Sequence, residues 1–270
     1  MRKRVPPAGT TPNTGRGDMT TVTLGHPDTI LHAAAAAAVV RVLEAYEMEV
    51  EYVTGTRNDL SAAMAAGGID LFVSAWLPDI DPDWLAPALG MEAFGGLYKP
   101  VFGWALPEGS APYVVTIADL ATDDGTVSRN IVTPESVIER VRQGVAAYGL
   151  TECGFTLDAR PDEDAFQHAA QAIETGEATI LPLWQPHFLH HGGRLRLLDD
   201  PKAGLGGEQQ ARLLLRTAAR ETLDSDLLDE LDELTLGNKV VSALDYAMRR
   251  EGMSADEAAE AWQRGKLLPR

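Results

Sequence analysis

From residue 21 onward, short runs of β-branched and apolar residues alternate with longer stretches of helical period. Val22–Gly25 predicts a strand, Thr29–Glu47 a long alanine-rich helix and Val50–Thr54 a second strand. Asp59–Ala66 predicts a helix that stops at Gly67-Gly68, where glycine takes the left-handed conformation cheaply. Ile69–Ser74 is a third strand. Repeated strand–helix–strand units with near-continuous apolar strands imply a parallel sheet covered by helices. A second unit follows, with a strand over Val101–Leu106, helices over Pro134–Tyr148 and Glu163–Glu174, and a buried strand over Ala178–Trp184. The tail predicts helices over Glu208–Ala219, Ser225–Leu234, Val240–Arg250 and Ala255–Gln263. Acid-rich Asp224–Glu233 reads as a solvated helix face with Leu227, Leu228, Leu231 and Leu234 turned inward.

Composition narrows the function classes. The 270 residues hold 23 Lys+Arg against 40 Asp+Glu, a formal charge of −17. A surface this acidic repels phosphate backbones, which argues against nucleic acid as a partner. Cys153 is the single cysteine, so no intrachain disulfide and no thiolate cluster can form. No run approaches the roughly 18 apolar residues of a spanning helix. Arg2, Lys3 and Arg4 resemble the start of a signal peptide, but Pro, Gly and Thr follow instead of an apolar core. Residues 1–20 therefore predict a disordered leader, and the sequence as given predicts no signal peptide. Ala33–Val40, the one apolar candidate, lies within a longer helix.

Catalytic signatures are missing. There is no GxxxxGK[ST], GxGxxG, HExxH or GxSxG motif. Gly204-Leu205-Gly206-Gly207 lacks the Lys-Ser/Thr of a phosphate loop and predicts a turn before a helix. His187, His190 and His191 have the spacing to share a helix face, yet no acidic third ligand stands nearby. Neither a metal nor a cofactor is called for, and the chain does not read as an enzyme.

The tryptophans are more informative. Trp76 ends one apolar strand and Trp184 another, and each is followed two residues later by proline. In open α/β sheets the carboxyl ends of strands line the ligand crevice. Two indoles from different halves of the chain can thus face one another across a cleft. Facing indoles suit a cation that cannot donate strong hydrogen bonds, at roughly 0.5–2 kcal/mol per contact. The competing reading is that each indole merely plugs the core.

At these residues the sequence resembles a known family. Asp70-Leu71-Phe72-Val73-Ser74-Ala75-Trp76-Leu77-Pro78 resembles the "D…SAWLP" segment of ABC-transporter substrate-binding proteins for glycine betaine, proline betaine and choline. Leu183-Trp184-Gln185-Pro186-His187-Phe188 is similar to its "WxPHW" segment. Leu197–Lys202 followed by Gly206-Gly207 resembles "YLeDPk…G", and Ser254–Trp262 the closing "peeAAkkW". The resemblance covers about residues 22–263 in order.

The resemblance implies an α/β, two-lobed clamp of the type II periplasmic-binding fold, each lobe a mainly parallel sheet flanked by helices. Residues 21–100 plus 195–265 would form lobe one and 101–194 lobe two. Trp76 and Trp184 would be walls of an aromatic cage, with His187 a polar contact or a support for Trp184. Gly25-His26-Pro27-Asp28 matches a family Gly-Trp-x-Asp segment, so Asp28 would be the acidic partner and His26 a weaker wall. Trp104 or Phe102 would supply a further wall. Thr133 and Pro134 predict a helix start, with Glu135 where betaine-binding relatives hold a carboxylate; facing the cleft, Glu135 would favour choline, whereas on the surface it complements the helix dipole. The implied function is capture of a quaternary amine of glycine betaine or choline type for an ABC permease, outside the cytoplasm. The alternative is a cytoplasmic sensor on the same clamp with a different cationic amine.

Overall fold

The computed structural model describes residues 20–267. The leader expected over residues 1–20 lies, but for residue 20, outside the described residues. The first sheet has five strands in the order β2-β1-β3-β10-β4. Strands β1 (Thr21–Pro27), β2 (Glu49–Gly55) and β3 (Leu71–Leu77) run parallel, with Val22 opposite Val50 and Leu24 opposite Leu71. They are joined by α1 (Ile30–Ala45) and α2 (Arg57–Ala65). β4 (Met91–Tyr98) runs the same way, and β10 (Gln210–Arg216) enters antiparallel between β3 and β4. The sheet is therefore mixed.

Helices cover both faces of this sheet. On one, α1 buries Ala34 to Ala38 almost completely. Its small side chains let α7 (Gly237–Arg250) and α8 (Ala255–Gln263) approach closely, and α6 (Ser225–Glu233) adds Leu227, Leu228 and Leu231. The short α5 (Thr217–Arg220) follows β10. On the other face α2 sets Leu60 and Met64 against Phe72, Trp84 and Leu214. Helix ends follow the expected chemistry. Thr56 with Asp59 and Ser254 with Glu257 form capping boxes, and Gly67 leaves α2 with φ +72°.

The middle of the chain forms two smaller sheets. β5 (Val101–Pro107) pairs antiparallel with β8 (Leu181–Gln185) and β9 (Leu195–Leu197). β6 (Asn130–Pro134) pairs parallel with β7 (Thr156–Arg160). α3 (Ile138–Ala147) and α4 (Asp162–Thr175) complete the unit. Its core is Phe102, Trp104, Ile117, Ile131, Val141, Leu150 and Ile180. The chain passes between the sheets at Lys99-Pro100 and returns near Gln209, whose N–H donates to the Pro100 carbonyl at 2.7 Å.

Several elements differ from expectation. Glu208–Ala219 is mainly the strand β10, because its apolar residues fill the slot between β3 and β4 on both faces; packing overrides helix propensity. The glycine-rich turn accordingly leads into a strand. Pro134 ends β6 instead of opening a helix, Thr133 bonds back to the Ile131 carbonyl, and α3 begins only after a 3₁₀ turn at Glu135–Val137. Leu195–Leu197, expected with the first unit, pairs with β5. Among the described residues no helix is long and apolar enough to cross a membrane.

Candidate ligand-binding site

Trp76 and Trp184 lie at the carboxyl ends of β3 and β8, on different sheets, and meet there. Their ring centroids are 5.0 Å apart and their planes inclined at 64°, an edge-to-face contact. The sequence expectation had the indoles facing across a cleft; in the structure they touch.

Residues of the first sheet and of the segments packed on it fix Trp76 on the sides that Trp184 leaves free. The Asp81 carboxylate accepts from its backbone N–H at 2.7 Å, and the Asp81 N–H donates back to the Trp76 carbonyl at 2.9 Å. Arg57 pairs with Asp81 and lies over the Trp84 ring. Burial nonetheless pushes the Asp81 carboxyl upward, partly offset by the Trp76 N–H and Arg57. The indole Nε1 donates to the Tyr98 hydroxyl at 3.1 Å, and that hydroxyl also meets Ser74 Oγ at 3.1 Å. Burial raises Tyr98 to about 12, so its hydroxyl stays protonated at neutral pH.

His32, unnoticed in the sequence, stacks on Trp76 at 5.6 Å and 27°. Thr29, the N-cap of α1, fixes it: Thr29 Oγ1 accepts from the His32 backbone N–H and lies 2.8 Å from Nδ1. Burial, helped by His26, lowers His32 to about 3. The imidazole on Trp76 is thus neutral, a ring without a charge. The Thr29-x-x-His32 spacing beside a strand end was the available signal.

His26 and Asp28 stand at the neighbouring end of β1. The His26 ring is buried, meets Tyr52 edge to face at 6.1 Å and places Nδ1 2.8 Å from the Pro27 carbonyl. Burial lowers its pKa against the opposing effects of that bond and of Asp28. His32 is therefore the imidazole that touches Trp76. Asp28 is exposed, and its backbone N–H donates to Gly55.

On the other side, Phe102 packs on Trp184 at 5.3 Å. Trp104, the alternative expected wall, is wholly buried in the second core, where a Cβ on Gly144 would lie 2.9 Å from its ring. Alternation along β5 puts both residues on one face, but Trp104 sits deeper. Arg140, in α3, holds its guanidinium 5.1 Å from the Trp184 centroid and 5.8 Å from that of Phe102. Glu135 is exposed, and the adjacent Ser136 N–H is taken by Asp162 at 3.1 Å.

The segment after Trp184 is clamped by α7. His187 N–H donates to Ser242 Oγ at 3.2 Å and Phe188 N–H to the buried Asp245 carboxylate at 2.8 Å. Arg249 bridges Asp245 and Glu163. The His187 ring lies 4.5 Å from both Phe166 and Phe188, and burial drives its pKa well below the usual value. His190 hydrogen-bonds the Trp184 backbone and is lowered to about 4, chiefly by burial. Among the described residues no group of three His, Cys, Asp or Glu could hold a metal ion.

The family model for the substrate-binding domain of ABC-type glycine betaine transport systems matches residues 20–264. Lactococcal OpuAC, solved closed with glycine betaine, superposes with a TM-score of 0.72 at 19% identity over 91% of this chain and 96% of its own. ProX from Borrelia burgdorferi gives 0.68 at 20% identity, covering 90% and 92%. A choline-binding protein in complex with choline gives 0.64 at 16% identity, covering 91% and 88%. No curated sequence matches the chain. The fold is that of type II periplasmic-binding proteins.

Proposed function

Since the chain belongs to the family of substrate-binding domains of ABC-type glycine betaine transport systems, we propose that it captures a small quaternary amine between Trp76 and Trp184 and presents it to a membrane permease outside the cytoplasm. The observation that carries this reading is the meeting of two indoles from separate sheets at strand carboxyl ends, among uncharged rings. A quaternary ammonium offers no N–H, so ring faces serve it better than carbonyls, at roughly 0.5–2 kcal/mol per desolvated face. At 5.0 Å the indoles are in contact, so a cation enters only as they part.

The two crossings at Lys99-Pro100 and near Gln209 are the natural hinge, joined by a single backbone hydrogen bond. The lobes in this reading are residues 21–98 with 210–265, and 101–207, which moves the expected boundary so that β9 stays with β5. Trp76 and Trp184 are the walls, Phe102 backs Trp184, and Asp28 is the acidic group at the neighbouring strand end. His26 supports the β1 end. His187, wedged between Phe166 and Phe188, supports the Trp184 segment instead of touching the ligand.

Calorimetric titration of the intact chain with glycine betaine and choline tests the assignment. Trp184→Ala removes a partly buried indole that packs against both cores, whereas Trp76 lies wholly within the first core and is better replaced by Phe. Trp184→Ala should weaken binding at least about tenfold in protein that circular dichroism shows to be folded, and Trp76→Phe should weaken it less. Unchanged affinity in both variants would overturn the cage.

A further inference from the structure

Trp184 already carries a cation. The Arg140 guanidinium sits 5.1 Å from its ring centroid and 5.8 Å from that of Phe102, within the range of a cation–π contact. Its position is built rather than incidental. Arg140 Nη1 donates to the Leu205 carbonyl at 2.8 Å. Gly206, at φ +92°, leaves room that a Cβ would close, since that Cβ would lie 2.5 Å from Arg140 Nη1. Asp200 shapes this loop: its carboxylate accepts from the Gly204 N–H at 3.0 Å and the Leu205 N–H at 2.7 Å, and from the Tyr148 hydroxyl at 2.5 Å. The Asp-Pro-Lys…Gly-Gly stretch thus aims a carbonyl at one arginine.

That arginine is unmatched. Among the described residues no carboxylate forms an ion pair with Arg140, and its single hydrogen bond goes to a neutral carbonyl. Asp79, three residues beyond Trp76, acts on it from across the crevice, but the Asp79 carboxylate is engaged by the Gln209 amide at 3.0 Å. Partial burial works against the guanidinium charge. Meanwhile the first turn before α3, an alternative place for an anion, already has its Ser136 N–H bonded to Asp162.

We propose that Arg140 decides which quaternary amines the site accepts, disfavouring bare cations such as choline and favouring those that carry their own carboxylate. This rests on the cation-binding reading of Trp76 and Trp184. A bare cation brought to Trp184 meets a fixed positive charge on the same ring. A zwitterion brings an anion for the guanidinium fork, a charge-assisted pair Arg suits through its several donors. The structure therefore points away from the choline preference that Glu135 would have given.

The test is calorimetry on the intact chain with glycine betaine and choline, repeated for Arg140→Met and Arg140→Lys, with circular dichroism confirming folding. The wild type should prefer glycine betaine by about tenfold to a hundredfold, the scale of one charged hydrogen bond. Arg140→Met should abolish or invert that ratio by weakening betaine and strengthening choline. Arg140→Lys keeps the charge but loses the fork, and should retain the preference at lower affinity. Equal wild-type affinities, or equal weakening of both ligands in Arg140→Met, would overturn the proposal while leaving the cage intact. If Arg140→Met does not fold, a betaine-to-choline ratio in Arg140→Lys that falls to one overturns it. Binding of neither ligand by the wild type would instead defeat the cage reading, and this proposal with it.

Discussion

Replacing Asp245 with Ala should be among the most damaging changes outside the aromatic cluster. Its side chain is fully buried in α7, accepts from the Phe188 N–H at 2.8 Å and pairs with Arg249 Nε at 2.9 Å. Burial raises the Asp245 carboxyl despite these partners, so its own desolvation opposes what the contacts gain. Removing it relieves that cost but leaves a buried N–H without an acceptor and a largely buried guanidinium with Glu163 alone. Breaking one side of a buried pair costs about 3–5 kcal/mol. With roughly 2–4 °C per kcal/mol for a chain of this size, the melting temperature should fall by about 6–20 °C. Asp245→Asn keeps an acceptor for Phe188 and should lose about half as much. Thermal unfolding followed by circular dichroism measures both. A drop below about 2 °C for Asp245→Ala would refute the reasoning, because it would mean the α7 clamp does not hold the segment after Trp184.

Acidification provides a second measurement. His32 near 3, His190 near 4 and His187 well below its usual value take up protons in the unfolded chain before the folded one, so their stability is full above pH 6.5 and lost as pH falls. At about 1.4 kcal/mol per pH unit for each, stability should drop by roughly 3–4 kcal/mol between pH 6 and 5. The raised carboxyls of Asp81 and Asp245 act in the opposite sense, adding stability as pH falls through their folded-state values. Chemical denaturation at the two pH values reads the difference, and equal stability would contradict neutral buried imidazoles. Trp104→Phe should leave ligand affinity within about twofold while Trp104→Ala costs about 3–5 kcal/mol of stability, as a core residue would. Loss of binding in Trp104→Phe would restore it to the site. Gly206→Ala should lower stability by about 1–2 kcal/mol through its left-handed backbone and shift ligand preference in the same direction as Arg140→Met; a preference unchanged by calorimetry would show that the loop does not position the arginine.

The elements of the fold and the residues of the site are unevenly legible in the sequence. Trp76 and Trp184 are legible because strand, aromatic residue and proline recur in matching order, and the first three strands because β-branched and apolar residues alternate with helices. β4 is not, since Gly95 and Gly96 weaken its pattern, yet Gly95 turns at φ +58° to meet Asp232 and a Cβ on Gly96 would strike Gln210. Arg140 is one of several charged residues on an amphipathic helix, and only the Gly206 loop, 66 residues later, singles it out. His32 is hidden by the alanines that follow it. Each is set by contacts between distant segments, which local propensity does not encode.

In the proposed site a cation lodges between two indoles whose rings touch in the structure. A crystal structure of the chain with glycine betaine tests it directly. The ammonium carbon atoms should lie within about 6 Å of both the Trp76 and Trp184 centroids, with those centroids moved apart from 5.0 Å. A ligand bound elsewhere, with the two rings still at 5.0 Å, would contradict it.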